Sequence, residues 1–278
     1  MPELPEVETI RRQLNKEIKG KKIKNIEVRL PRLVKCSLFK FKKAVLGATV
    51  KNIKRRAKLL LIELSSGYVL VIHLKMSGQI IYQAVKNRGQ KIGKHTHLVY
   101  TFFDNSQMLH NDMRQFGYVK LAPIEELPKS LEQKENYGPE PLSKEFSLAL
   151  FKKLLSQKPR TKIKPLLMDQ TFVAGIGNIY SDEVLFYARV QPSRQVKTLK
   201  SAEIEKIYQG IKLILSAAIH KRGTSADLYV DAKGRPGNYL PLLKVYRREG
   251  QPCFRCQAKI VALKIGGRTA HFCPKCQK

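Results

Sequence analysis

Residues 58–74, KLLLIELSSGYVLVIHL, decide how the first part of this chain folds. Two apolar runs, KLLLIEL and YVLVIHL, flank the turn residues SSG. Each run has the length of one strand, and the pair predicts a β-hairpin. Neither run alternates cleanly between apolar and polar residues, so neither keeps a broad solvated face. That is the pattern of strands in the core of a β-sandwich. HLVYTFF, DNS and QMLHNDMRQFGYVKLA repeat it over residues 97–122. Upstream, Val7, Ile10, Leu14 and Ile18 recur at helical spacing, Glu6 and Glu8 sit in the first turn, and Gly20 supplies a stop. This predicts a helix over 6–19, attached to a sandwich that fills the first 120 residues.

Further along, the pattern changes. APIEELPKSLEQKENYGPEPL, residues 122–142, holds four prolines and no strand signal. From about residue 145 the chain turns helical through EFSLALFKKLLSQ, KIKPLLMDQ and a segment starting near Asn178. A longer helix starts at Ser201 as N-cap, with Ile204, Ile207, Tyr208, Ile211, Leu215 and Ala218 on one stripe. GTSADLYVDAKGRPGNYL, residues 223–240, has the turn-residue content of a mobile loop. The expected architecture is α+β and multi-domain: a β-sandwich over 1–121, a linker over 122–144, a helical domain over 145–240, and a metal module over 241–278.

Composition points to a partner. The 278 residues carry 53 Lys+Arg against 22 Asp+Glu, a formal net charge of +31. The excess runs through KGKKIK, KFKK, KNIKRRAK, KNRGQKIGKH and KKLLSQKPRTKIK. A chain this basic meets a polyanion, with nucleic acid the first expectation. The N-terminus is acidic where a secretory signal would be basic, and no apolar run has the length of a membrane span. A soluble, intracellular protein is expected.

Four of the five cysteines lie in the tail. Cys253, Cys256, Cys273 and Cys276 have the C-x2-C…C-x2-C spacing of a tetrahedral thiolate zinc site. A module this short cannot bury enough apolar surface to fold alone, so the metal stabilises it. Four thiolates fill the coordination shell, which makes the expected zinc structural. Cys36 is left over. Arg268 sits near the tip of an expected hairpin between the two cysteine pairs.

Two further stretches carry chemistry. VAGIGNIYSDE places Gly175, Gly177 and Asn178 just before a helix, where free N–H groups attract phosphate. The N-terminal MPELPE places Pro2 behind the initiator methionine. A small second residue allows methionine removal, which leaves a free secondary amine. Such an amine condenses with an aldehydic sugar carbon to a cationic iminium. Glu3 beside it can act as a general acid.

Taken together, PELPEVETIRRQL, RRAKLLLIEL, HLKMSG, KHTHL, DMRQFG, GPEPL, IKPLLMDQ, GIGNIYSDE and GGRTAHFCPKCQK resemble the bacterial formamidopyrimidine-DNA glycosylases in order and spacing, over the whole chain. The resemblance implies a β-sandwich with flanking helices, then a helix–two-turn–helix, then a zinc finger. It implies a repair enzyme that removes oxidised purines, 8-oxoguanine and formamidopyrimidines, from duplex DNA and then cuts the abasic strand.

By that resemblance Pro2 is the nucleophile at C1′ and Glu3 the general acid. Lys58 is the proton donor in β-elimination, and Arg268 binds phosphate and assists δ-elimination. His95, Arg114, Arg160, Asn178 and Lys164 contact the DNA strands. Met76, Arg114 and Phe116 enter the space left by the flipped nucleotide. Glu6 helps to line the base pocket, and the loop over 223–240 caps the base. One structural zinc is implied, with no catalytic metal or organic cofactor. The partner is damaged double-stranded DNA, with no membrane, and the enzyme acts as a monomer in the cytoplasm, at the nucleoid.

Two positions depart from the family pattern. Gln115 stands where relatives carry a second arginine, and Arg247 where they carry glycine. Leu4 separates the chain from the related endonuclease VIII branch, which acts on oxidised pyrimidines. That branch, a non-catalytic DNA-binding protein on the same scaffold, and a basic zinc-ribbon protein stay open as alternatives.

Overall fold

The computed structural model describes residues 1–85, 92–127 and 136–278. They belong to two compact units. The first takes residues 1–134 and 221–240, and the second takes 135–220 and 241–278.

The first unit opens with α1 (Leu4–Glu17). Glu3 is its N-cap and Pro5 lies in its first turn, where a missing N–H costs nothing. Glu3 and Glu6 form a capping box: each side chain accepts the other's backbone N–H. The helix starts at Leu4 rather than residue 6 because this box, and not the apolar stripe, sets the start.

Strand β1 (Ile23–Val28), helix α2 (Leu38–Val45) and strands β2 (Val50–Arg56), β3 (Leu59–Leu64), β4 (Tyr68–His73), β5 (Gly78–Gln83), β6 (Thr96–Phe102), β7 (Gln107–Asp112) and β8 (Tyr118–Pro123) follow. They form two antiparallel four-stranded sheets, ordered β1-β6-β7-β5 and β2-β3-β4-β8. The expected hairpin is β3–β4, with Leu60 opposite Ile72 and Ile62 opposite Leu70. These four residues share one buried core with Ile80, Leu98, Tyr100, Phe102 and Met108 of the other sheet, and with Val7, Ile10, Leu14 and Ile18 from α1 and its end. This is the expected sandwich.

Helix α2 was not legible from the sequence. Its basic run LFKFKKAV hides a face of Phe41, Ala44 and Val45, and the Ser37 hydroxyl accepts the Lys40 N–H at its start.

The second unit contains α3 (Leu148–Ser156), α4 (Ile163–Met168), α5 (Asn178–Ala188) and α6 (Ser201–His220), then the hairpin β9 (Val261–Ile265) and β10 (Arg268–Phe272). Ser201 is the first helical residue of α6 and not its cap. The Glu203 carboxylate instead accepts the Lys200 N–H at 2.7 Å. The buried stripe runs through Ile207, Ile211, Leu215 and Ala218, as the periodicity predicts.

Two boundaries differ from the sequence reading. Residues 221–240, expected with the helical domain, belong to the first unit. The expected linker over 122–144 begins inside β8, and its residues 128–135 lie outside the described residues. Gly138 is no free linker residue: its N–H donates to the Gln170 carbonyl at 2.8 Å, and a Cβ there would stand 2.6 Å from the Phe172 carbonyl oxygen. Among the described residues, no helix is long and apolar enough to cross a membrane.

Arg55 of β2 ties the β2–β3 hairpin to α1 by donating to the Glu8 carboxylate at 3.2 Å. Arg11 and Arg12 also donate to Glu8, each at 2.8 Å. Burial alone would raise the Glu8 carboxyl, but the three arginines outweigh it and hold the group below its usual value. The stabilisation is therefore present above the unfolded value of 4.5 and lost as pH falls through the lower folded value. Glu8→Gln should cost roughly 1–2 kcal/mol at pH 7. Its melting temperature should fall less between pH 5 and pH 3 than that of the parent chain, a difference read by thermal unfolding against pH.

Candidate functional site

In the first unit, Pro2 and Glu3 are buried at the start of α1. The Glu6 carboxylate joins two backbone groups there. One oxygen accepts the Glu3 N–H at 2.7 Å, and the other accepts the Thr224 N–H at 2.8 Å. Asp227 of the same loop lies 3.8 Å from the amino group of Met1. The loop over 221–240 is thus built onto the chain's start.

Lys58 occupies the β2–β3 turn beside Ala57, whose φ is 52°, and it is 6% exposed. The next residue, Leu59, pairs with His73 across the sheet, within reach of the Lys58 charge. Burial first, then the charges of Lys75, Lys58 and Lys120, push the His73 imidazole down to about 3. His73 is therefore neutral at working pH, and its Nδ1 accepts the Lys75 N–H at 3.0 Å. A neutral imidazole leaves the positive charge of this corner to the lysines.

Ser77, which follows Met76, the Arg114–Gly117 turn and the His95 carbonyl come together around Asp112, which is fully buried at the end of β7. Its Oδ1 accepts the Ser77 hydroxyl at 2.5 Å, and Ser77 Oγ accepts the Arg114 N–H at 2.8 Å. Its Oδ2 accepts the Gly117 N–H at 2.7 Å. Its own N–H donates to the His95 carbonyl at 2.9 Å. Gly117 has no room for a side chain, since a Cβ would stand 2.9 Å from that Oδ2. The turn this builds holds Phe116 at 56% exposure, with the Arg114 guanidinium 4.9 Å from its ring centre. Gln115 adopts φ 58° and accepts a hydrogen bond from Arg32, so a guanidinium reaches this turn from another part of the chain.

In the second unit, Asn178 begins α5 and Gly177 is its N-cap. The Gln170 side chain organises the approach: its amide donates to the Met168 and Ile176 carbonyls at 2.7 and 2.8 Å and accepts the Gly175 N–H at 2.9 Å. The Asn178 Oδ1 is buried without a hydrogen-bond partner. Arg160 is exposed in the turn before α4.

Lys164 corrects the sequence reading of a strand contact. It is fully buried, and its Nζ lies 2.5 Å from the Asp182 carboxylate and 3.4 Å from the Thr269 carbonyl. Asp182 Oδ2 also accepts the His271 N–H at 3.0 Å. Lys164 and Asp182 therefore fix β10 to α4 and α5. The β9–β10 turn is Gly266-Gly267, both at positive φ, with Gly266 against Pro165. Arg268 is exposed just after it. The neighbouring Glu183 carboxylate accepts the N–H groups of Lys244, Val245 and Tyr246 at 2.8–3.0 Å. Burial still lifts its carboxyl above the usual value.

The sulfurs of Cys253, Cys256, Cys273 and Cys276 lie within 4.8 Å of one another. Cys253 and Cys276 are 3.9 Å apart, and Cys256 and Cys273 are 3.5 Å apart. Sulfurs about 2.3 Å from a tetrahedral zinc stand about 3.8 Å apart, so this set fits zinc. The Arg255 and Cys276 N–H groups donate to the Cys253 and Cys273 sulfurs at 3.4 Å, which supports thiolates there.

Asp112, Gln170, Asp182 and Glu183 escaped sequence reasoning. DMRQFG and GIGNIYSDE contain three of them, but nothing in a sequence marks a carboxylate as buried.

Models of three families match the chain: the formamidopyrimidine-DNA glycosylase N-terminal domain over residues 1–119, the H2TH domain of the same enzymes over 137–229, and a zinc finger found in FPG and IleRS over 250–278. The formamidopyrimidine-DNA glycosylase of Pelotomaculum thermopropionicum is 43% identical, over 100% of this chain and 99% of its own. A structure of MutM in complex with carbocyclic 8-oxo-G containing DNA is 38% identical with a TM-score of 0.90, over all of both chains. Wild-type Lactococcus lactis Fpg (MutM) in complex with an oxidized pyrimidine containing DNA is 39% identical, also with a TM-score of 0.90 over all of both chains.

Lys164→Met should leave the buried Asp182 without its lysine partner, held only by His271, at a cost of about 3–5 kcal/mol. The melting temperature should drop, and the salt slope of DNA binding, measured below that temperature, should stay at the parent value. A lost phosphate contact would give the reverse: an unchanged melting temperature and a slope lower by about 1.

Proposed function

The chain belongs to the formamidopyrimidine-DNA glycosylase family, and from that membership we propose that it excises 8-oxoguanine and formamidopyrimidines from duplex DNA and then cuts the abasic strand. The observation that carries this is the chain's start. Pro2 and Glu3 are held at a capped helix N-terminus whose backbone is gripped by Glu6. A terminus meant only for solvent needs no such grip.

The steps follow from amine chemistry. With Met1 removed, the Pro2 nitrogen is a secondary amine. It attacks C1′, and the bond to the damaged base breaks with its electron pair leaving on the base. Glu3 supplies a proton as the sugar ring opens. The resulting iminium acidifies the C2′ proton, whose loss expels the 3′ phosphate. A second elimination expels the 5′ phosphate. Lys58 serves proton transfer in the first elimination, and Arg268 neutralises phosphate charge in the second. The product is a one-nucleotide gap with phosphate on both ends. The zinc supplies only structure.

His95, Arg114, Arg160 and Asn178 contact the strands, and Met76, Arg114 and Phe116 fill the space vacated by the flipped nucleotide. Unstacking costs a few kcal/mol, least at a damaged pair, and an aromatic already held outside the core offsets part of that cost. Lys164 is left out of this set because it is buried. The enzyme works as a monomer on chromosomal DNA in the cytoplasm. A second reading, excision of oxidised pyrimidines, has support in the Lactococcus lactis complex with such DNA.

Borohydride trapping on a duplex with one 8-oxoguanine opposite cytosine tests the proposal. The expected result is a covalent adduct mapping to Pro2 by mass, with strand cleavage in its absence. Trapping only on a thymine glycol duplex would favour the pyrimidine reading, and no trapping on either would refute both. Pro2→Gly keeps a primary amine and should react more slowly; parental turnover in that variant would move the nucleophile elsewhere. Affinity should fall by orders of magnitude between about 50 and 200 mM salt, as phosphate contacts require.

A further inference from the structure

Within the second unit, an open depression of about 580 Å³ lies between the end of α5, the start of α6 and the cysteine knuckles. Arg189, Lys206, Arg255, Lys275 and Lys278 line it, with Glu203 as the acidic side chain among them. That carboxylate is already engaged. Arg194 donates to its two oxygens at 2.6 and 3.0 Å, and the Lys200 N–H donates to it at 2.7 Å. The Arg194 guanidinium also meets a Lys278 oxygen at 3.1 Å, so it neutralises the anions at this rim. Arg189, Lys206 and Lys275 are exposed, and among the described residues they have no carboxylate partner. The walls are ordered. The Arg255 guanidinium lies 4.1 Å from the Phe186 ring centre and donates to the Phe186 carbonyl at 2.6 Å. Arg189 closes α5 in the left-handed conformation, and its carbonyl accepts the Lys278 N–H at 3.1 Å. The Gln277 amide donates to the Val190 carbonyl at 2.9 Å, and its oxygen accepts the Cys273 N–H at 2.9 Å.

The depression is far from the strand contacts of the same unit. Asn178 begins α5 and Arg268 begins β10, and the two elements run side by side: Asp182 meets His271, and Val190 meets Gln277. The eleven residues of α5 put Arg189 about 16 Å beyond Asn178. The five residues of β10 carry Cys273, and Lys275 after it, a similar distance beyond Arg268, about 16 Å. A phosphate held here is therefore a different phosphate from one held at Asn178. Cations left facing one concavity repel each other, and an anion between them relieves that repulsion. Phosphate suits the donors present, since guanidinium and ammonium groups give it short, charge-assisted hydrogen bonds. A protein bound to DNA by one end has further DNA around it, and phosphate contacts of this kind let proteins move between sites.

We propose that the depression ringed by Arg189, Lys206 and Lys275 is a second nucleic-acid backbone site: it takes hold of a passing duplex while the first is still bound at the Asn178 end, so that the chain changes segments without being released. This rests on the DNA-binding part of the reading above. It predicts that other DNA speeds release from the first duplex, because the second duplex is captured before the first is lost.

The experiment loads the zinc-bound full chain on a labelled undamaged duplex and follows its dissociation as unlabelled duplex is raised a hundredfold. The parent is compared with the double variant Arg189→Asn/Lys206→Gln and with Lys206→Glu; asparagine tolerates the left-handed conformation at 189. The parent's dissociation rate should climb severalfold with competitor. Both variants should show a flat rate, with affinity for the first duplex and 8-oxoguanine excision within twofold of the parent and an unchanged melting temperature. A flat rate in the parent, or a parental rise in the variants, would overturn the second site while leaving the excision reading intact. Polyglutamate that speeds release as well as DNA does would overturn the nucleic-acid occupant in favour of an acidic protein. A parent chain that changes duplexes in this way but excises no lesion would instead refute the excision reading and leave the second site standing.

Discussion

One carboxylate, Glu6, carries the constraint on which the first unit depends. A residue that is to react through its backbone nitrogen has to sit at a chain terminus, the part of most proteins that is least ordered. Glu6 resolves this conflict with its two oxygens. One completes the capping box on the Glu3 N–H, and the other takes the Thr224 N–H from a segment more than two hundred positions away. The separation matters physically. The terminus is ordered by a loop that can form only after the helical part has been made, because residues 221–240 return to the first unit after α6.

The same device recurs away from the chain's start. Asp112, Asp182, Glu183 and Asp231 are all buried, and each accepts hydrogen bonds from backbone N–H groups of a segment that has no regular structure to satisfy it, or from a strand that must be fixed to a helix. A buried carboxylate is costly unless fully paired, and these have two to four donors each. The geometry they impose is correspondingly narrow. Asp112 shapes the turn that exposes Phe116, and Asp182 fixes the strand that begins with Arg268. Side chains on loops thereby gain the rigidity that strands and helices would otherwise provide.

This division explains what the sequence made legible. Strands β3, β4, β6 and β7 and helix α6 declare themselves because periodicity and composition follow directly from which face is buried. The four cysteines declare themselves because chelation fixes their spacing. Pro2, Glu3, Arg268 and the Arg114 turn stand out as candidates in the sequence because their motifs are local. Helix α2 was hidden by lysines on its open face, since LFKFKKAV has its apolar residues at helical spacing but looks merely basic. Lys164 was misplaced for the converse reason. A lysine in a basic neighbourhood is normally solvated, and only the fold brings Asp182 against it. The partition of 221–240 was invisible because Gln13–Asp231 and Glu6–Thr224 are pairings between distant positions.

The charge balance closes the argument. A net charge of +31 repels itself, and a compact state with so many cations needs a reason to persist. Part of it is where the scarce acids go. Glu6, Asp112, Asp182, Glu183 and Asp231 are withdrawn from the surface and spent on internal donors, while many of the lysines and arginines remain outside. Burying anions in this way makes the surface more positive than the composition alone would, and each internal pair also makes the fold more specific. The cations left over cannot be neutralised from within the chain. They are neutralised by whatever polyanion the protein meets, and the counterions that DNA releases on binding turn that unresolved repulsion into affinity.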